Sequence, residues 1–370
     1  MSENKQIKHP AVTHLESNEW STANALAYEM SGRDLMCAVC RRGGGETPPA
    51  GKEKIDKFLD IIWSSPHTPV KVMADLDVSR AHFFDVYEGR NKKSLPDNFA
   101  KRSEDFSKRR KDLETCRLLG IYPNTVLPAI FIYDLLFERQ PTLSNYCYDC
   151  GDSTVWPECP HARKGFYEKI SQVPKTSLTT QTIKGEELAG QGLWAMFSPR
   201  SKEEMNTEKK SSADFIINKA KTLYIRPLHT MCIICTRNGK GPFVQDNLVE
   251  LRERMLKDPD ITVTLTEGCC MVCDSCNIYH QEENICYFGH PKNILRDLRF
   301  LEKLGLKPGA TLPARELYQL IYDKIPKLYD LCAWNDGQNT TKFWAECGAA
   351  RDDNTIADAK KEGFIVGSKE

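Results

Sequence analysis

Residues 112–147 have the sequence DLETCRLLGIYPNTVLPAIFIYDLLFERQPTLSNYC, and the same pattern returns 185 positions later. Residues 297–332, DLRFLEKLGLKPGATLPARELYQLIYDKIPKLYDLC, align with the first segment without a gap. The identical pairs include Asp112/Asp297, Leu119/Leu304, Gly120/Gly305, Pro123/Pro308, Pro128/Pro313, Ala129/Ala314, Tyr133/Tyr318, Pro141/Pro326 and Cys147/Cys332. A recurrence of this length predicts an internal duplication.

Turn-forming residues predict the same local structure in both copies. Each copy is expected to begin as a helix that ends at Gly120 or Gly305, because glycine suits the left-handed position that follows a helix. A second helix is expected with Pro128 or Pro313 near its first turn. It should end before the next proline of each copy, since proline cannot continue a helix.

The chain as a whole is expected to be a helix-rich α+β protein of two related cysteine-rich domains. Short alternating apolar runs at 70–73, 223–225 and 261–265 predict a few strands. The expected organisation is a poorly structured segment at 1–30, a first cysteine-rich repeat at 31–170, a linker at 171–213, a second cysteine-rich repeat at 214–350 and a tail at 351–370. The linker prediction rests on the many Ser, Thr, Lys and Glu residues in that interval.

Most of the 15 cysteines fall into two series with the same order of features. The first series is Cys37, Cys40, Cys147 and Cys159, and the second is Cys232, Cys235, Cys332 and Cys347. Each series opens with C-x-x-C before a glycine-rich loop and closes with W-x-E-C. A C-x-x-C brings two sulfurs to one side of a turn, which is a common start for a tetrahedral zinc site or an iron–sulfur site. The repeated spacing predicts a metal or cluster site in each half.

The second half carries an additional run, Cys269, Cys270, Cys273 and Cys276, followed by Cys286. We expect Cys273, Cys276 and Cys286 to ligate a cluster, with a fourth thiolate from Cys232, Cys269 or Cys270. The spacing of Cys269, Cys273 and Cys276 is also that of a radical S-adenosylmethionine triad. That interpretation is disfavoured because fewer than 100 residues follow and the alternating pattern of a barrel is absent.

The first half has an additional cysteine of its own, Cys150, which we expect to join its site. A C-x-x-C is also typical of thioredoxin-like dithiols, whose active site opens a helix after a strand. Neither Cys37 nor Cys232 shows that context clearly in the sequence.

Glycines and basic residues follow each C-x-x-C. The glycines expected to let backbone N–H groups approach a sulfur-rich anion are Gly43, Gly44, Gly239 and Gly241. Arg42 and Arg237 are expected either to neutralise an anionic cluster or to be plain surface arginines. His229, three residues before Cys232, is expected either to ligate the metal or donate to a sulfur, or to be a structural histidine.

Composition excludes several classes of function. Lysine plus arginine equals aspartate plus glutamate, at 51 each, so a nucleic-acid partner is not expected. No apolar run reaches the 18 or more residues of a membrane span, and residues 1–10 lack an apolar signal region. A cytoplasmic protein is therefore expected, in which so many cysteines serve as ligands or redox groups rather than as disulfides.

The second half resembles a small uncharacterised prokaryotic family that is described as iron–sulfur-binding and has no assigned reaction. The resemblance is carried by Ile225-Arg-Pro-Leu-His229-Thr-Met-Cys232, Gly239-Lys-Gly241, Phe243-Val and Asn247, then by Cys273, Cys276, Cys286 and residues 297–306. It covers roughly residues 224–322. The first histidine of the family's R-P-H-H-x-x-C opening is Leu228 here. The resemblance implies iron–sulfur binding, and the first half is expected to be a distant copy.

These observations lead to an iron–sulfur protein with at least two cysteine-ligated sites, of the 4Fe–4S type, that acts in electron transfer or redox sensing with a redox partner protein. One alternative is a structural zinc protein whose thiolates brace two small cores and present a binding surface. Another is an enzyme whose cluster keeps an open iron site for a substrate. Whether the chain is an enzyme stays open at this point.

Overall fold

The computed structural model describes residues 27–42, 44–45, 51–75, 106–144, 146–147, 156, 158–159, 161–171, 201–237, 246–276, 279–280, 285–286, 290–334, 344–351 and 354–367. The chain forms two compact units. Unit 1 comprises residues 1–76, 107–191 and 338–345, and unit 2 comprises residues 77–106, 192–337 and 346–370. Within the described ranges no helix is both long and apolar enough to cross a membrane.

Unit 1 is built around a small three-stranded sheet. Its elements are β1 (Tyr28–Ser31), α1 (Gly32–Arg42), α2 (Lys52–Ser64), β2 (Pro69–Met73), α3 (Phe106–Leu119), β3 (Val126–Pro128), α4 (Ala129–Arg139), a 3₁₀ turn (Ala162–Lys164) and α5 (Phe166–Ser171). Strand β1 pairs in parallel with β2, and β2 pairs antiparallel with β3. The parallel pair requires a crossover, which α1 and α2 provide. Helix α1 packs against both α2 and α5.

Unit 2 repeats this order of elements. It contains α6 (Lys202–Asp214), a π-helical turn (Phe215–Lys219), β4 (Thr222–Ile225), α7 (Pro227–Cys235), α8 (Leu248–Lys257), β5 (Thr262–Leu265), β6 (Tyr279–His280), β7 (Ile285–Cys286), α9 (His290–Leu304), β8 (Thr311–Pro313), α10 (Ala314–Lys324), α11 (Tyr329–Cys332), a 3₁₀ turn (Gly348–Arg351) and α12 (Thr355–Lys361). Strand β4 pairs in parallel with β5, and β5 pairs antiparallel with β8. Helix α7 packs against α8, α9 and α12.

The two sheets therefore have the same strand order and the same pairing senses. The strands predicted at 70–73, 223–225 and 261–265 are confirmed as β2, β4 and β5. The predicted mixed, helix-rich class is also confirmed. The hairpin of β6 and β7 has no counterpart among the described residues of unit 1.

The helix boundaries predicted from glycine and proline are confirmed. Gly120 and Gly305 follow α3 and α9 and have φ of 70° and 69°, the left-handed backbone conformation expected of a residue that ends a helix. Helices α4 and α10 begin directly after Pro128 and Pro313. The strands β3 and β8 were not predicted, because three residues are too few for an alternating pattern to show.

Three segments that were expected to be unstructured or connecting contain regular structure. Strand β1 begins at Tyr28, inside the expected 1–30 segment. Helix α6 lies inside the expected linker, and a capping box between Ser201 and Glu204 starts it. Helix α12 lies in the expected tail and buries Ile356 and Ala359. Helix α6 was missed because its sequence is largely charged and polar, so it presents no broad apolar stripe.

The two W-x-E-C segments are placed differently. Trp156 and Trp344 both belong to unit 1, where each is almost completely buried. The indole N–H of Trp344 donates to the carbonyl of Ile121 at 3.0 Å. Cys347, three residues later, belongs to unit 2. Trp344 and Cys347 therefore belong to different units, whereas the corresponding Trp156 and Cys159 belong to the same unit.

A buried carboxylate holds the start of each helix that carries a C-x-x-C. Asp112 accepts the backbone N–H of Arg33 at 2.7 Å, and Asp297 accepts that of Leu228 at 2.8 Å. Both donors belong to the first turn of their helix, where N–H groups lack helical partners. In unit 2, Asp297 also binds the buried guanidinium of Arg226.

In unit 1, the absent side chain of Gly32 lets α1 approach Asp112 closely. A Cβ atom on Gly32 would lie 2.6 Å from the carbonyl oxygen of Asp112. Burial raises the pKa of Asp112 to about 7, although the N–H of Arg33 and the charge of Lys108 oppose the shift. Unit 1 therefore holds a carboxyl group whose protonation is linked to folding.

We predict that Asp112→Asn changes the pH dependence of unfolding. The folded pKa lies above the ordinary value of 3.8, so the stability that Asp112 contributes is full below about pH 4 and is lost as the pH rises through about 7. Relative to Asp112→Asn, the wild-type protein should lose about 2 kcal/mol between pH 5 and pH 8. Denaturant unfolding of both proteins at pH 5 and pH 8 measures this difference in the free energy of unfolding. Parallel pH profiles would contradict the assignment.

Candidate metal centres

Four thiols of unit 1 form a group that we call quartet 1: Cys37, Cys40, Cys147 and Cys159. Cys37 and Cys40 lie three residues apart on α1, so their side chains share a helix face. The N–H of Cys159 donates to the carbonyl of Cys147 at 2.9 Å, which joins the other two segments. Burial raises the pKa of Cys37, and the neighbouring Cys147 and Cys159 raise it further. Burial also raises the pKa of Cys40 to about 11, with Cys159 contributing.

Unit 2 builds quartet 2 in the same way from Cys232, Cys235, Cys332 and Cys347. Cys232 and Cys235 lie three residues apart on α7. The N–H of Cys347 donates to the carbonyl of Cys332 at 3.1 Å, as Cys159 does to Cys147. Burial raises the pKa of Cys232 strongly, and Cys235, Cys332 and Cys347 each raise it further. The structure thus brings together each of the two series that the sequence spacing singled out.

The local setting of each C-x-x-C differs from the prediction. The sulfurs of each pair were expected on one side of a turn, whereas both pairs lie on helices. Residues i and i+3 of a helix are neighbours, so a helix satisfies the same spacing. Each helix follows a strand of a parallel pair, which is the context that appeared unclear in the sequence. The cysteines lie toward the helix end rather than at its start, unlike a thioredoxin-like site.

Glycine is required beside quartet 1. The N–H of Gly45 donates to the carbonyl of Cys40 at 3.0 Å. A Cβ atom on Gly45 would lie 2.8 Å from the sulfur of Cys40 and 2.9 Å from its carbonyl oxygen. Gly44 has a φ of 98°, which favours glycine. Gly43, Gly239 and Gly241 lie outside the described residues, as does Cys150.

The two arginines that the sequence suggested contact groups of neighbouring elements. Arg42 donates to the hydroxyl of Tyr133 at 3.2 Å. Arg237 donates to the carbonyl of Thr355 at 3.1 Å and forms ion pairs with α12. Both therefore help to anchor the segment that follows their C-x-x-C helix to its own unit.

Other cations lie close to the thiols. Arg33 acts to lower the pKa of Cys37. Arg296 donates to the carbonyl of Cys332 at 2.8 Å, and its guanidinium lies 4.7 Å from the ring centre of Trp334. Burial raises the pKa of Cys332 to about 11, and Arg296 opposes that shift. Positive charge therefore lies beside both quartets.

A third group of ligand atoms occurs in unit 2, where Nδ1 of His229 and the sulfurs of Cys270 and Cys273 all lie within 4.8 Å of one another. We call it the His/Cys trio. The Nδ1 atom lies 3.2 Å from the sulfur of Cys270 and 4.0 Å from that of Cys273. Both cysteines are buried and His229 is partly exposed. Contacts with Cys269, Cys270 and His229 lower the pKa of Cys273. The trio therefore has the composition and the geometry of a metal site.

The loop that carries the trio is fixed by backbone interactions. Asn247 donates from its side chain to the carbonyl of Met271 at 2.8 Å, and its N–H donates to the carbonyl of Val272 at 3.1 Å. The N–H of Met271 donates to the carbonyl of Tyr224 on β4 at 3.2 Å. Burial and Cys273 raise the pKa of Cys270, and the backbones of Arg226 and Val272 oppose that shift.

Cys269, one expected source of a fourth ligand for the dense cluster, interacts with both Cys273 and Cys286. Cys273 also belongs to the trio, and Cys232, another expected source, belongs to quartet 2. Cys286 is near Cys269 and accepts a weak hydrogen bond from Asn293 at 3.8 Å. Cys276 is buried in the turn that follows Cys273, and its N–H donates to the carbonyl of Cys273 at 2.9 Å.

Two charged residues of unit 2 interact with both the trio region and quartet 2. Asp246 interacts with His229 and Cys273 and also raises the pKa of Cys232. Lys292 has a pKa that burial lowers to about 8, and it interacts with Cys286 and Cys347. Neither residue could be chosen from the sequence, because neither belongs to a recognisable motif. The packing of α9 brings Lys292 to the thiols, and the segment before α8 brings Asp246.

In a comparison with known proteins, a family model described as "Protein of unknown function (DUF1284)" matches residues 240–336. The segment begins after the R-P-L-H motif and includes Cys332, whereas the resemblance noted in the sequence began near residue 224 and was expected to end before Cys332. The description assigns no function. No curated protein and no solved structure matches the chain.

We predict that Gly45→Ala destabilises unit 1 by about 1–3 kcal/mol, because the added methyl overlaps the sulfur and carbonyl of Cys40. Gly348→Ala is the matched control. Gly348 directly follows the quartet cysteine Cys347, and a Cβ atom there would meet nothing within 4 Å. Denaturant unfolding should show a change for the control within about 0.5 kcal/mol. Equal effects of the two substitutions would show that Gly45 is not sterically required.

Proposed function

We propose that the chain is an iron–sulfur protein that holds one 4Fe–4S cluster in each unit and transfers electrons. The observation that carries this proposal is the repeated quartet: two thiols on a helix, joined by two more whose backbones hydrogen-bond to each other. Four cysteine thiolates are the usual ligand set of a 4Fe–4S cluster. When bound, such a cluster supplies one-electron redox chemistry.

The spacing of the quartet thiols supports a cluster over a single zinc ion. All eight quartet cysteines are described, and no three sulfurs of either quartet lie within 4.8 Å of one another. Four thiolates at about 2.3 Å from one tetrahedral zinc would lie about 3.8 Å apart. A cluster of several irons spaces its cysteine ligands more widely.

The charges around the quartets also support an anionic cluster. Burial raises the pKa of the quartet thiols that show shifts, so the thiolate form needs compensation by positive charge. Arg33 and Arg296 lie close enough to contribute. Neighbouring positive charge and hydrogen bonds tune the reduction potential of a cluster.

The two quartets are proposed to descend from one duplicated unit. Support comes from the gapless alignment of residues 112–147 with 297–332 and from the identical strand order of the two sheets. Asp112 and Asp297, whose carboxylates accept a backbone N–H from the first turn of α1 and α7, also occupy aligned positions.

Electron transfer is favoured over catalysis at an open iron site. Each quartet supplies four thiols, which would occupy every corner of a 4Fe–4S cluster and leave none for a substrate. The proposed partner is a redox protein in the cytoplasm, with no role for nucleic acid or membrane. A zero net charge fits this choice, because phosphate binding requires a basic surface.

We predict that protein purified without oxygen is coloured and contains iron and sulfide for two clusters. Cys40→Ala and Cys235→Ala should each lose about half of the iron and sulfide, because each removes a ligand from one quartet. Cys116→Ala is the control: it deletes a buried thiol that lies in neither quartet and should keep the full content. Iron and sulfide assays with a visible spectrum give the answer. A colourless protein with zinc that is lost on Cys40→Ala or Cys235→Ala would refute the cluster assignment.

A further inference from the structure

The His/Cys trio differs from the quartets in both ligand type and spacing. It combines one imidazole nitrogen with two sulfurs, a set that suits a borderline ion such as zinc. Tetrahedral zinc, with Zn–N of about 2.0–2.1 Å and Zn–S of about 2.3 Å, places nitrogen and sulfur about 3.6 Å apart. The two distances from Nδ1 of His229, 3.2 Å and 4.0 Å, lie on either side of that value.

We propose that Nδ1 of His229 and the sulfurs of Cys270 and Cys273 bind one zinc ion, as a third metal centre that is separate from both quartets. The compact spacing fits a single ion, whereas the quartets are more open. The inference does not depend on what the quartets hold, because the trio shares no ligand with them.

Hydrogen bonds of the protein hold the segment that carries Cys270 and Cys273. Asn247 fixes the intervening backbone through the carbonyls of Met271 and Val272. The Cys270–Cys273 turn is itself closed by an N–H to carbonyl hydrogen bond of 2.7 Å. Burial and Cys273 raise the pKa of Cys270, and the backbones of Arg226 and Val272 oppose that shift. A bound cation would compensate the buried thiolate.

His229 lies on α7, and the carboxylate of Asp246 interacts electrostatically with it. Nearby carboxylates are common partners of histidines that bind metal ions. His229 is also partly exposed, so the site has a path for the ion.

Cys269 contacts Cys273 but lies outside the group of three ligand atoms that are all within 4.8 Å of one another. Its thiol also interacts with Cys286 and with the guanidinium of Arg226. We assign three protein ligands and leave the fourth tetrahedral position to water. Three protein ligands and one water are the arrangement of zinc sites that can exchange a ligand.

Helix α7 carries ligands for both sites of unit 2. His229 and Cys232 are three residues apart on it, which is about 4.5 Å along the helix axis. Zinc at the trio would brace the loop at 270–273 against the helix that presents the C-x-x-C of quartet 2. Asp246, which interacts with both sites, reinforces that connection.

The test uses the full chain, produced with iron and zinc in the medium and purified without oxygen. We expect about one zinc per chain, and zinc-edge X-ray absorption should show two sulfur and two nitrogen or oxygen neighbours. His229→Asn and Cys273→Ser should each reduce zinc at least tenfold. They should leave most of the iron and sulfide, because neither residue belongs to a quartet. His67→Asn, which replaces an exposed histidine of unit 1, is the control and should keep its zinc.

Four sulfur neighbours around the zinc would overturn the assignment, because they would place the ion in a quartet. Loss of iron and sulfide in His229→Asn with zinc unchanged would also overturn it. So would wild-type protein that contains no zinc. The absorption experiment uses the wild-type chain, so it decides the matter even if a variant fails to fold. If the wild-type protein contains zinc but no iron or sulfide, and that zinc is lost in His229→Asn, the cluster proposal fails and this inference stands.

Discussion

A buried carboxylate at the start of a cysteine-bearing helix is the interaction on which each unit depends. Asp112 and Asp297 extend from a long helix and accept an N–H from the first turn of α1 or α7. This contact fixes the angle and the register of the helix, and therefore the direction in which its two thiols point. Unit 2 strengthens the arrangement with Arg226, whereas unit 1 leaves the carboxyl group to titrate. The two units thus share a geometry but differ in their electrostatics.

In both quartets the ionised form of the buried thiols is unfavourable unless a positive charge lies nearby. Burial raises the pKa of Cys37 and Cys232, so bringing four thiolates together requires positive charge. Nearby arginines supply part of it, and a metal or cluster would supply the rest. The trio differs, because it brings an imidazole nitrogen within 4.8 Å of two sulfurs. One unit therefore contains two different groups of potential metal ligands that share helix α7.

Much of this architecture could be predicted from the sequence, and the failures have physical causes. The helix ends at Gly120 and Gly305 were predictable because a left-handed position strongly favours glycine. The quartets were predictable because ligand spacing recurred. The helical setting of each C-x-x-C was not, since a turn and a helix both bring sulfurs at i and i+3 together. Cys270 could not be chosen over Cys269, because the direction of adjacent side chains depends on the contacts of the loop with Asn247 and Tyr224.

Whether each quartet holds an iron–sulfur cluster can be measured by electron paramagnetic resonance of the anaerobically purified chain, reduced with dithionite and quantified by spin counting. We expect signals from two reduced clusters, one of which is lost when a cysteine of either quartet is replaced. A protein that gives no such signal, with zinc in four-sulfur coordination at the quartets, would contradict this expectation.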